Sequence, residues 1–147
     1  MSLALVEQRF PEVVRAVRAA GEPVGVAWSA GPVPVLTLDG VQLESRHDAR
    51  AEAELQARLV PAGARAATVY GTAQGTLVRL LLARAGLARL TVVLLNPRVL
   101  AAVLAHVRCD DWLADPRLEL VLVAPGAELS TPFVALPAEL LLDRLHL

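Results

Sequence analysis

The sequence predicts an α/β fold: a Rossmann-like three-layer domain with a mostly parallel sheet, preceded by an N-terminal helix and a small antiparallel β-meander. Three observations predict it. Two nearly continuous aliphatic runs, LTVVLL (90–95) and LELVLV (118–123), have the length and make-up of strands buried on both faces. Stretches of helical spacing separate them from each other and from an earlier apolar run. That alternation argues parallel strands joined by right-handed crossovers. Finally, residues 66–75, AATVYGTAQG, set an apolar strand directly before a Gly-containing turn that opens a helix. This is the layout of a nucleotide-binding βαβ half-unit.

The elements follow in order. Leu3, Val6, Phe10, Val13, Val14 and Val17 share one helical stripe. Pro11 splits that helix into a short first piece and a longer second one, and Gly21 stops it. Residues 24–43 change to strand-like patterning, broken at the turn dipeptides Gly31-Pro32 and Asp39-Gly40, and read as a meander. Residues 45–60 open with a capping-box pattern, Ser45 with Asp48 three positions on, and continue as a helix closed by Pro61 and Gly63. Strand 66–70, helix 74–86, strand 90–95, helix 97–107, a helical turn near 110–114 and strand 118–124 follow. An extended piece and a helix from Pro137 complete the chain. We read a single domain over 1–147. Its parts are an N-terminal region (1–64), the βαβαβ unit (65–126) and a C-terminal segment (127–147).

Composition narrows the function. The 147 residues are 55% hydrophobic but only 3% aromatic, so the core is aliphatic. The chain has no Lys and no Ile, and all 14 basic residues are Arg, a bias expected of GC-rich bacterial coding. A net charge of −1 forces no basic face, so no nucleic-acid partner is expected. One cysteine, Cys109, excludes an internal disulfide and a multi-Cys zinc site, and fits a reducing cytoplasm. Glu7 and Arg9 come too early for a signal peptide, and no apolar run reaches the ~18 residues of a membrane helix. The apolar surplus is expected to go into the core and into an interface with a second copy or a protein partner.

The chemistry-bearing positions are few. In Gly71-Thr72-Ala73-Gln74-Gly75 the outer glycines suit the tight turn and close backbone approach of a cofactor-binding loop, while Ala73 replaces the middle glycine. Asn96 stands 21 positions after Gly75, where a ribose-binding carboxylate is expected, and Asn96-Pro97 is equally a helix start. Arg46 and His47 lie at a helix N-terminus and could hold an anion. After strand 118–123 no acid stands where a methyltransferase-like fold would hold an adenine; Glu128 reads as a solvated loop charge. His106, Cys109, Asp110 and Asp111 lack matching ligands elsewhere, since His47 and His146 are distant, so no metal is expected. Cys109 reads as a small buried hydrophobe, and Asp110-Asp111 as the start of a turn that carries Trp112 inward. No Ser or Thr has evident His and acid partners, so no catalytic residue is assigned.

Four segments together resemble the N-terminal domain of motility accessory factors, proteins associated with flagellin glycosylation in bacteria. They are LESRHDARAEAELQARL (43–59), TVYGTAQGTLVRLLL (68–82), VVLLNPRVLAAVL (92–104) and LADPRLELVL (113–122). The order of elements is similar, more distantly, to S-adenosylmethionine-dependent methyltransferases. Asp48-Ala49 replaces the family's Asp-Pro, Ala73 its middle glycine and Asn96 its strand-end acid. The chain ends at Leu147, before the glycosyltransferase-like domain of the full-length proteins, so the resemblance implies no transferase activity. The weakened ligand positions and the high apolar content lead us to expect a non-catalytic accessory or interaction domain with no cofactor, which the resemblance links to motility or flagellin glycosylation. The alternative is an S-adenosylmethionine- or nucleotide-binding enzyme using Gly71, Gly75 and Asn96.

Overall fold

The computed structural model describes residues 2–22, 24–29, 34–45, 47–123 and 133–142. Arg46, Gly31-Pro32, Pro125-Gly126, Glu128 and His146 lie outside them. The N-terminal helix is split as the proline predicts, into α1 (Ser2–Arg9) and α2 (Pro11–Ala20), with Pro11 in the first turn of α2. Three short strands form the antiparallel meander: β1 (Val26–Trp28), β2 (Leu36–Leu38) and β3 (Val41–Gln42). The β2–β3 turn is Asp39-Gly40, both at positive φ (52° and 79°).

Helix α3 (Ala49–Ala57) starts three residues later than the capping-box pattern suggests. Its N-cap is Asp48, whose Oδ1 accepts from the Ala51 N–H at 2.9 Å. Ser45 sits one turn out and accepts from the His47 and Asp48 N–H groups, while Glu52 reaches back to the Ser45 N–H at 3.1 Å. Ser45 makes its half of the pattern, but the reciprocal bond comes from Glu52 rather than Asp48, and the pair orders the approach to the helix rather than its first turn.

The second sheet is four-stranded and parallel, in the order β6-β5-β4-β7. It comprises β4 (Ala66–Tyr70), β5 (Arg89–Leu94), β6 (Leu118–Leu122) and β7 (Val134–Ala135), with α4 (Thr76–Leu82), α5 (Pro97–His106), α6 (Asp110–Leu113) and α7 (Pro137–Leu141) between and after them. Helix α4 is shorter than its 74–86 pattern: the turn through Gly75 delays its start, and Arg84 leaves the helix. The Arg84 guanidinium donates instead to the Ala57 and Val60 carbonyls at the end of α3.

The two faces of this sheet are unequal. Ala67, Val69, Leu90, Val92, Leu94, Leu118, Leu120 and Val134 face the main core, which also takes Val13 and Val14 of α2, Leu77 and Leu81 of α4, and Leu100 and Val103 of α5. The alternate residues Tyr70, Val93, Leu95 and Val123 make a smaller buried cluster. Thr68, Thr91, Glu119 and Val121, on that same face, are only half-buried. Arg117 secures the edge, donating to the Leu82, Arg84 and Leu87 carbonyls and pairing with Asp115.

Candidate functional site

Strand order reverses direction beside β4: the chain moves from β4 to β5 to β6 on one side, and β7 joins on the other. In open parallel sheets the crevice outside the carboxyl ends of the strands at such a switch point is the usual ligand site. Here it lies over Gly71, which follows β4, and Leu136-Pro137, which follow β7.

Four elements converge on residues 71–76 and close that crevice. From α7, Glu139 (1% exposed) lies directly over Gly71, and its Oε1 accepts from the Leu95 N–H at 3.0 Å. A Cβ built on Gly71 would stand 2.7 Å from the Glu139 Cβ. From α6, the Trp112 indole (2% exposed) lies over Gly75, where a Cβ would stand 2.5 Å from its Nε1. From β2, the Leu36 N–H donates to the Gln74 side chain at 2.8 Å. From the end of β3, Glu44 accepts from the Thr76 hydroxyl at 2.9 Å.

Both glycines therefore do what the sequence suggests, with a different object. Gly71 (φ 95°) and Gly75 (φ 96°) adopt backbone conformations that favour glycine and allow close approach. What approaches is the chain's own Glu139 and Trp112. Ala73 also keeps a positive φ, 45°, so it holds the geometry of the glycine it replaces while its methyl is buried in the main core.

Asn96 is 6% exposed and has work for both ends of its amide. Its Oδ1 caps α5 by accepting from the Arg98 N–H at 2.9 Å, and its Nδ2 donates to the Leu142 carbonyl at 2.8 Å. His47 is exposed and directly precedes Asp48, the N-cap of α3. The Ala51 N–H of α3 is already capped by Asp48, and the first turn carries the acidic Glu52. Cys109 is fully buried, and Trp112 is carried into the core as expected. Among the described residues no group of three potential metal ligands forms, and no helix is long and apolar enough to cross a membrane.

Sequence reasoning missed Glu44 and Glu139. Glu44 is 7% exposed, and burial pushes its carboxyl above the ordinary 4.5, with Glu52 adding to the shift. The Thr76 hydroxyl and the backbone N–H groups of Thr76 and Gln74 pull the other way. Since the N-cap of α4 is Gly75, which has no side chain, the Glu44 carboxylate sits where a capping group would. The one available signal was position, and it was clear only for Glu139, a lone acid in the otherwise apolar stretch VALPAELLL; Glu44 stands among Gln42 and Ser45 in VQLES.

The residues present do not fit S-adenosylmethionine or a nucleotide at this crevice. A ligand laid along the turn meets Glu139 over Gly71 and the Trp112 indole over Gly75, and Asn96 has already spent its amide on the chain. No family model matches this sequence, and a search of curated proteins finds none similar to it.

Proposed function

We propose that this chain is a non-catalytic, Rossmann-like accessory domain that joins a second copy of itself or another protein. Its setting would be the bacterial motility and flagellin glycosylation implied by its resemblance to motility accessory factors. One observation carries the reading: the switch-point crevice is filled from within, by Glu139 on Gly71 and Trp112 on Gly75. A cofactor-dependent enzyme of this fold needs that crevice open. The alternative, an S-adenosylmethionine-dependent methyltransferase, would require both side chains to leave buried positions.

The surface supports an interaction role. Val24, Trp28, Leu55, Leu59, Phe133, Leu140 and Leu141 are large apolar side chains left exposed. An apolar groove of about 530 Å³ runs between α1, the end of α2 and α5, lined by Leu3, Val17, Ala101 and Leu104. Sedimentation equilibrium over a wide concentration range, together with calorimetry, tests the proposal. Self-association, or a stable heteromeric complex, with no heat from millimolar S-adenosylmethionine, S-adenosylhomocysteine or nucleotides is the expected result. Saturable heat from any of them would overturn the non-catalytic reading. A strict monomer that captures no partner would overturn the interaction reading.

A further inference from the structure

The meander leaves one strand edge open. Along β1 the hydrogen bonds to β2 run through Gly25, whose carbonyl accepts from the Asp39 N–H at 2.9 Å, and Ser29, whose N–H donates to the Val35 carbonyl at 2.8 Å. The alternation of an antiparallel pair makes Ala27 and Thr37 the bonded pair between them and turns the main-chain groups of Val26 and Trp28 outward. Those N–H and C=O groups have no partner among the described residues. The next outward carbonyl, that of Val24, accepts from Arg98 at 2.9 Å and ends the open stretch. Val24 is 72% exposed and Trp28 49%, and Ala27, on the other face of the strand, is exposed too. Exposed edges are ordinarily blunted by charge or proline. From Val24 to Ser29 there is neither, and no residue between Glu22 and Asp39 is charged. The other edges are closed or shorter. At β6 the Leu118 N–H donates to the Asp115 carbonyl and its own carbonyl accepts from Arg9, while β3 and β7 have two residues each.

We propose that this edge pairs with the same edge of a second copy, antiparallel about a two-fold axis at Ala27, joining two meanders into one six-stranded sheet. This pairing rests on the interaction reading above and gives it a surface. A row of unspent main-chain donors and acceptors is met by an extended backbone. β1 is its own complement. About that axis Val26 lies opposite Trp28 of the second copy, and Trp28 opposite its Val26. Each is a hydrogen-bonded pair that exchanges two N–H···O bonds, so four bonds satisfy every open group of both copies. Between them Ala27 meets its own counterpart in the close, non-hydrogen-bonded position, where a small side chain fits. Each Trp28 ring gains a β-branched neighbour across the junction. An uncharged edge meets an uncharged edge, so no charge is taken out of water. A three-residue strand, about 10 Å long, buries less than the about 1,200 Å² of a standard interface, so the dimer is weak and reversible.

The test is sedimentation equilibrium of the intact chain from about 10 μM to about 1 mM, with amide hydrogen exchange followed by NMR at both ends of that range. The parent is expected to dimerise across it, and the Val26 and Trp28 amides to exchange several-fold more slowly at the high end. Ala27→Lys and Ala27→Glu each set like charges opposite one another across the axis and are expected to weaken association about tenfold. An equimolar mixture of the two sets Lys against Glu and is expected to dimerise again, which fixes the axis and shows that both variants are folded. Undiminished association in both variants, no rescue in the mixture, or exchange at Val26 and Trp28 that ignores concentration would overturn this pairing and leave the interaction reading to another surface. A parent that stays monomeric yet forms a stable complex with another protein overturns the pairing and spares that reading. A strict monomer with no partner overturns both. Concentration-dependent exchange in the parent needs no variant, so it decides the matter should either substitution unfold the chain.

Discussion

Gly75→Ala separates a glycine kept for a ligand from one kept for the core. Gly75 has φ 96°, and a methyl there meets three atoms of the Trp112 ring at 2.5, 3.0 and 3.3 Å. The left-handed conformation costs an alanine about 1–2 kcal/mol. Forcing a methyl into a packed indole adds about 1–3 kcal/mol, because Trp112 is 2% exposed and has nowhere to turn. Alanine's lower freedom in the unfolded chain returns about 0.4–1 kcal/mol. The net loss is about 2–4 kcal/mol, which for a domain of this size lowers Tm by roughly 5–15 °C. Urea and thermal unfolding followed by circular dichroism measure it. The decisive arm is the double-mutant cycle with Trp112→Leu, which removes the clash but not the backbone strain. The two substitutions should couple by about 1–3 kcal/mol. A loss below about 1 kcal/mol in the parent, or strict additivity with Trp112→Leu, would refute the reasoning. Ala73→Gly is the internal control. Relief of strain there is offset by the lost buried methyl and the looser unfolded chain, so its net effect stays within about 1 kcal/mol of zero.

Three further outcomes follow from the same contacts. Asn96→Asp restores the acid that a ribose-binding strand end would carry and keeps the α5 cap. It also removes the donor to the Leu142 carbonyl and sets a carboxylate against it, so stability should fall by about 1–3 kcal/mol by urea unfolding, with no gain of S-adenosylmethionine heat. Glu44 has a folded-state pKa above its unfolded value, so the folded chain holds its proton more tightly. Its burial therefore costs nothing below about pH 4.5 and costs progressively more as pH rises through the folded pKa. Glu44→Gln should accordingly raise Tm at neutral pH and converge on the parent at pH 4; parallel Tm–pH curves would contradict this. Arg117→Lys cannot reproduce three carbonyl contacts and a carboxylate pair from one planar fork, and should lower stability by about 1–3 kcal/mol in the same assay.

The fold was legible because its signals are local. The aliphatic-rich runs at 90–95 and 118–123, the split at Pro11 and the turn at Asp39-Gly40 each fix their own backbone within a few residues. Boundaries slipped where a distant group decided them. Helix α4 ends at Leu82 while its pattern runs on to residue 86, and Arg84 is drawn to carbonyls 24 and 27 residues away. The half-open face of the sheet was hidden for a related reason. Thr91 and Glu119 interrupt the aliphatic runs too briefly to break a strand that reads as buried on both sides.

The site was illegible in its occupants rather than in its frame. Gly71, Gly75 and Asn96 announce a backbone prepared for close approach and a strand end with a polar group, and those features are present. Which atoms approach is set by partners from remote parts of the chain: Glu44 bonds Thr76 across 32 residues, and Glu139 bonds Leu95 across 44. Under the proposed non-catalytic reading, the nature of those partners also explains how such a turn would persist. A strand-to-helix turn of this kind leaves backbone N–H groups at its rim that favour negative charge. Glutamate carboxylates can meet that demand from within, Glu44 beneath the start of α4 and Glu139 against the Leu95 N–H. Once they do, a middle glycine and a ribose-binding acid are no longer needed, and Ala73 and Asn96 can stand in their places. On this view the missing ligand residues and the two buried glutamates are one change, and neither Asn96→Asp nor Ala73→Gly alone should reopen the crevice while Glu139 and Trp112 remain.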